Sequence, residues 1–86
     1  MIIVYEAVKS VGEIRKKEFE KETKLFYIRE NGMRDSKESY YSKFFKTFDE
    51  AKEFLLDLRI KEIEYLKKSI ANVEKEIENI MGKEEM

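Results

Sequence analysis

Residues 47–82 read TFDEAKEFLLDLRIKEIEYLKKSIANVEKEIENIMG, and this stretch decides the architecture. Thr47-Phe48-Asp49-Glu50 is a capping box. The Thr47 hydroxyl can accept from the Glu50 amide while the Glu50 carboxylate reaches back to the Thr47 amide, and two acids sit at the positive end of the helix dipole. Gly82 supplies the stop. With no proline or glycine between them, the spacing predicts one helix over 48–81, roughly 50 Å long at 1.5 Å per residue. That is longer than a small sheet can cover.

The helix divides into two sectors. Ala51, Phe54, Leu55 and Leu58 make a wide apolar face suited to a sheet. Beyond Ile60 the pattern narrows to Ile63, Leu66, Ile70, Val73, Ile77 and Ile80, alternating steps of three and four residues. A stripe so narrow fits another helix, so the chain is expected to form a homo-oligomer through a coiled coil. Placing Ile63, Ile70 and Ile77 at a puts Leu66, Val73 and Ile80 at d, with Leu56 and Arg59 one heptad earlier. Isoleucine or valine at d does not select a parallel dimer as leucine would, so trimeric, tetrameric and antiparallel pairings stay open. In a parallel pair Glu62 would face Lys67 of the next heptad, a mild attraction, whereas Ser69 and Glu74 decide nothing.

Upstream, the sequence reads as sheet. Ile2 to Val8 is rich in β-branched and aromatic residues, and Ser10-Val11-Gly12 is a turn into a very polar segment from about Glu13 to Glu22. Glu and Lys there would also suit a helix, but Ile14 and Phe19, five apart, give a helix no stripe; an exposed or edge strand is the reading. Leu25-Phe26-Tyr27-Ile28 follows, and Asn31-Gly32 then marks a hairpin. A two-residue type I′ turn would pair Glu30 with Met33, Arg29 with Arg34, Ile28 with Asp35 and Tyr27 with Ser36. The returning strand would end near Ser39, and Tyr40, Tyr41, Phe44 and Phe45 would close the core between sheet and helix. Each buried Phe contributes roughly 1.5–3 kcal/mol to so small a domain. The fold class is therefore α+β: one domain over 1–86, with about four antiparallel strands in 2–46, the helix over 48–81, and a charged tail, 82–86, that frays.

Composition limits the chemistry. At 86 residues there is room for one core only, and 43% charged residues imply a heavily solvated surface. Yet 42% hydrophobic and 13% aromatic residues are too many for a disordered chain. Eighteen basic and 19 acidic residues give a net charge of −1, leaving no global field to draw the chain onto nucleic acid or an anionic membrane. With no cysteine and no histidine, the thiolate nucleophile, the commonest general base and the commonest transition-metal ligand are missing. No GxGxxG, Walker or HExxH pattern occurs, so a non-enzyme without metal or cofactor is expected. Met1 to Val8 reads as a strand rather than a signal peptide, and no segment approaches a membrane span. A cytoplasmic location is expected.

Two groups of residues invite a binding role. In the expected hairpin register Arg29 and Arg34 lie opposite each other beside Tyr27, and like charges at that spacing need neutralising. A phosphate would do this, and so would Glu30, Asp35, Glu38 or solvent. Arg59, at a would-be seam position, would either line a pocket between subunits or lie just outside a seam that starts at Ile63. Tyr27, Arg29, Arg34 and Arg59 are thus the candidate ligand-binding residues, for a phosphorylated, nucleotide-like molecule. Arg15-Lys16-Lys17 sits among Glu13, Glu18, Glu20 and Glu22, which makes it a solvated mixed-charge strand rather than a nucleic-acid contact. Glu74, Glu76, Glu78, Glu84 and Glu85 lack the spacing of a cation site.

The run Phe45-Lys46-Thr47-Phe48-Asp49-Glu50-Ala51-Lys52-Glu53-Phe54-Leu55, following a hairpin and opening a long Glu/Lys-rich helix, resembles small phage-encoded accessory proteins. In particular it is similar to the Thoeris anti-defence sponges of the first described type. The resemblance covers roughly residues 25–81 in layout. It implies a sheet with a long helix, assembly through that helix, and non-catalytic sequestration of a cyclised ADP-ribose immune signal or, as in some relatives, a cyclic oligonucleotide. An alternative from a different class is an inhibitor or adaptor of the anti-CRISPR kind. Such a protein would present its aromatic surface or helix to a host protein.

Overall fold

A computed structural model describes residues 1–85. Its elements are β1 (Ile2–Val8), β2 (Glu13–Phe19), β3 (Lys21–Glu22), β4 (Phe26–Ile28), β5 (Arg34–Ser36), β6 (Ser42–Phe45) and α1 (Phe48–Met81). The strands form two antiparallel sheets of three, in the orders β2-β1-β6 and β3-β4-β5. The class is α+β, but the single sheet of about four strands is replaced by two sheets. The polar segment 13–22 is strand as expected, yet it bends at Glu20, whose amide donates to Ile28 O at 2.9 Å. Its first part becomes an edge of one sheet and its last two residues an edge of the other.

β1 is the shared centre. Its pairings place Ile2, Val4 and Glu6 on one face with Phe19, Lys17, Arg15 and Phe44, and place Tyr5 and Ala7 on the other with Lys16, Ile14 and Phe45. The first face meets the second sheet. There Val4, Phe19 and Tyr27 are buried, with Ile2 and Phe44 packed against them. Phe19 stacks on Tyr27 at 5.1 Å between ring centroids, and Phe44 meets both edge-on at 5.5 and 5.4 Å. Such pairs add about 0.5–1.5 kcal/mol each beyond their area. The second face meets α1. Ala7 and Ala51 are fully buried there, because two methyl side chains let helix and sheet approach closely, and Leu55, Phe54, Leu58 and Phe45 fill in around them. Helix, central sheet and small sheet thus form three layers with two thin cores. The expected aromatic closure holds only in part: Phe44 and Phe45 enter the two cores, whereas Tyr40 and Tyr41 are 88% and 72% exposed.

The hairpin is slipped by one residue from the expected register. Tyr27 pairs with Asp35 and Ile28 with Arg34, while the Arg29 amide donates to Met33 O at 2.8 Å. The cause is the turn. Gly32 alone takes positive φ (86°), Asn31 does not, and the Gly32 amide donates to Arg29 O at 2.9 Å. Asn31 instead spends its side-chain oxygen on the Met33 amide, at 3.0 Å. The result is a three-residue loop with glycine in the left-handed position. Because side chains alternate, the slip moves Arg34 to the opposite face from Arg29. Space around Gly32 is open, so Gly32→Ala should fold with the same contacts but lose about 1 kcal/mol of stability to backbone strain, lowering Tm by about 4–8 °C in a thermal melt.

Thr47 caps α1 as expected, accepting from the Glu50 amide at 3.2 Å. The return contact differs: the Thr47 hydroxyl itself donates to the Glu50 carboxylate at 2.9 Å, so the backbone amide of Thr47 is not the partner. At the far end Gly82 stops the helix, its amide donating to Glu78 O at 3.1 Å. The expected frayed tail, 82–86, ends in Met86, which lies outside the described residues. The head covers α1 only as far as Leu58, and the whole measures 73 × 23 × 19 Å. No helix among the described residues is long and apolar enough to cross a membrane.

Candidate functional site

Where the hairpin leans on the central sheet, it encloses a polar cleft of about 260 Å³. Glu6 and Lys17 enter from the sheet; Arg29 and Asp35 enter from the hairpin, with Ser42 at the wall. The Ser42 hydroxyl donates to the Glu6 carboxylate at 2.9 Å. Arg29 grips Asp35 with Nε and Nη2 at 2.8 and 3.0 Å, a bidentate pair that raises the guanidinium pKa, with the Glu6 charge adding to it. Two acids face two bases, so the cleft is neutral within itself. A phosphate entering it would have to displace Asp35 from Arg29 and approach Glu6, both unfavourable.

The four candidate ligand residues do not converge. Tyr27 is 3% exposed, inside the aromatic core with the Lys37 ammonium 4.8 Å from its ring centre; burial pushes its phenol pKa up. Arg29 is held by Asp35. Arg34, on the other face, lies over the Phe26 ring at 5.8 Å. Arg59 extends away from the helix to cap the β1–β2 loop, donating through Nη2 to Lys9 O at 2.7 Å, with Glu62 3.5 Å from Nη1. The pairing of Arg29 with Arg34 is therefore corrected by the turn geometry, and Arg59 latches the helix to the sheet. Sequence reasoning passed over Glu6 and read Lys17 only as part of a solvated mixed-charge strand. The available signal was an acid in the middle of an apolar strand.

The second feature is the far half of α1. Ile63, Leu66, Ile70, Val73, Ile77 and Ile80 are 50–62% exposed on one continuous face, joined by Leu56 and Ile60 at 54%. An apolar row of this length with nothing on it is a long uncovered hydrophobic surface, and large exposed apolar patches are typical of interaction sites. At its foot a groove of about 420 Å³ is lined by Ser10, Arg59, Glu62, Ile63 and Leu66. No side-chain cluster fit to hold a metal ion occurs among the described residues.

No protein-family model, curated protein or solved structure matches the chain.

Proposed function

We propose that this chain is a non-catalytic cytoplasmic binding protein that works as a homo-oligomer, joined through the apolar face of α1 and presenting its two-sheet heads outward. The observation that carries this is the uncovered row from Ile63 to Ile80, on a helix segment beyond the last residue packed in its own core, Leu58. Helices in proteins draw most of their stability from packing an apolar face, and in the single chain this segment's apolar face is unpacked. The lack of histidine and cysteine fits binding rather than catalysis. Display of the head to a host protein is the adaptor or inhibitor class of function.

Capture of a small phosphorylated signal, of the cyclic-nucleotide type, is the second reading. It draws on the groove beside Arg59, which lies at the foot of the helix row where a second chain would close it. Arg59 already serves Lys9, so this reading is weaker on geometry.

Sedimentation equilibrium at micromolar concentration tests the first reading. A mass of at least two 10.4 kDa chains is expected, and a monomer throughout overturns it. Thermal melts with cyclic nucleotides test the second: a rise in Tm that Arg59→Ala abolishes would favour capture, and no rise with any of them would leave the assembly role alone.

A further inference from the structure

The flanks of the apolar row say which way a second copy lies on it. Resting on the self-association proposed above, we infer that two copies of this chain pair antiparallel through α1, as a two-fold dimer in which Ile70 faces the partner's Val73, Leu66 the partner's Ile77, and Ile63 the partner's Ile80.

This register uses all six row residues and reads the flanking charges consistently. In antiparallel coiled coils e faces e and g faces g across the seam. Lys67 then lies beside the partner's Glu74, about 3 Å apart along the axis from a two-residue offset at 1.5 Å per residue. Glu62 meets the partner's Lys83, just past the helix end, and Ser69 meets the partner's Glu76. Ile60 and Met81, 54% and 80% exposed and otherwise unexplained flankers, meet each other at both ends. The two-fold axis repeats every contact, no like charges face, and the helix dipoles oppose favourably. The parallel alternative satisfies only Glu62 with Lys67, and leaves Ile60 and Met81 in water. It also brings the two copies of Arg59 and of the β1–β2 loop to the same level beside the seam.

The boundaries agree as well. Arg59 is pulled off the seam by Lys9 O, and Gly82 ends the partner's helix at that same level, so the overlap runs from Ile60 to Met81 and stops where each chain stops offering apolar residues. The partner's Ile80 and Met81 arrive at the groove lined by Ile63 and Leu66. Eight half-exposed side chains losing on the order of 80–100 Å² each would remove roughly 700 Å² per chain, near the ~800 Å² per partner of a standard stable interface. The two heads then stand at opposite ends of the rod.

Because the native chain has no cysteine, introduced thiols report orientation without background. Leu66→Cys mixed with Ile77→Cys should oxidise to a cross-linked heterodimer, while Leu66→Cys alone should not cross-link to itself. Lys67→Glu should weaken the dimer about tenfold by facing the partner's Glu74, and Lys67→Glu with Glu74→Lys should restore it. In a parallel pair the second change would face Ser69 and restore nothing. Self-cross-linking of Leu66→Cys, absence of rescue, or a mass greater than two chains overturns the antiparallel pairing while leaving self-association standing. A wild-type chain that is monomeric by sedimentation overturns both.

Discussion

Ile70→Lys should convert the assembly to monomers, raising the dissociation constant by at least about a hundredfold, which corresponds to about 3 kcal/mol. Ile70 is 58% exposed on the isolated chain, so a lysine there disturbs nothing within one molecule. In an assembly it sits in the middle of the row, where the ammonium cannot reach water without prising the helices apart. In the proposed two-fold pairing the effect would act twice. The head, whose cores lie at Ala51 and Leu55 and across the sheets, should keep its strand signal in circular dichroism. Part of the helical signal should fall as well, because the second half of α1 loses the packing that holds it. Light scattering gives the mass, and an unchanged mass would show that the row does not join chains.

Tyr27→Ala should be the most damaging single change in the head. Its ring is stacked on Phe19, abutted by Phe44 and covered by Lys37, and it belongs to the thinner of the two cores. Removing a buried aromatic costs about 3–5 kcal/mol, a large fraction of what a domain of this size has. Tm should fall by at least about 12 °C. Tyr27→Phe keeps the ring and should melt within a few degrees of wild type. That contrast separates the packing of the ring from the hydroxyl: a Tyr27→Phe variant as unstable as Tyr27→Ala would mean that the hydroxyl, not the ring, carries the stability.

The helix was fully legible because its signals are local. Thr47, Gly82 and the spacing of Ala51, Phe54, Leu55 and Leu58 each act within a few residues. The sheets were legible only as strands. What separated one sheet from two was a bend at Glu20, and nothing in a run of Glu and Lys marks where such a strand bends. The layering did leave a trace: a strand with Ile2 and Val4 on one face and Tyr5 and Ala7 on the other, and adjacent Phe44 and Phe45, both signal burial on two faces. The hairpin failed at a single residue. Asn31-Gly32 supports a two-residue turn and a three-residue one alike, and the choice fell to Asn31 bonding the Met33 amide. That one-residue choice dissolved the arginine pair and with it the anion site that the pair would have made. Of the cleft containing Glu6 and Lys17 only the acid within an apolar strand was legible, since the cleft itself exists only where two sheets meet.

The position of β1 also orders the protein's synthesis. Its second neighbour, β6, joins it by bringing Tyr5 against Phe45, about 40 residues later, so the central sheet cannot close until most of the head has left the ribosome. The helix that seals its other face follows β6 in sequence, so both cores of the head close on contacts made across most of its length, and the apolar row of α1 takes part in neither.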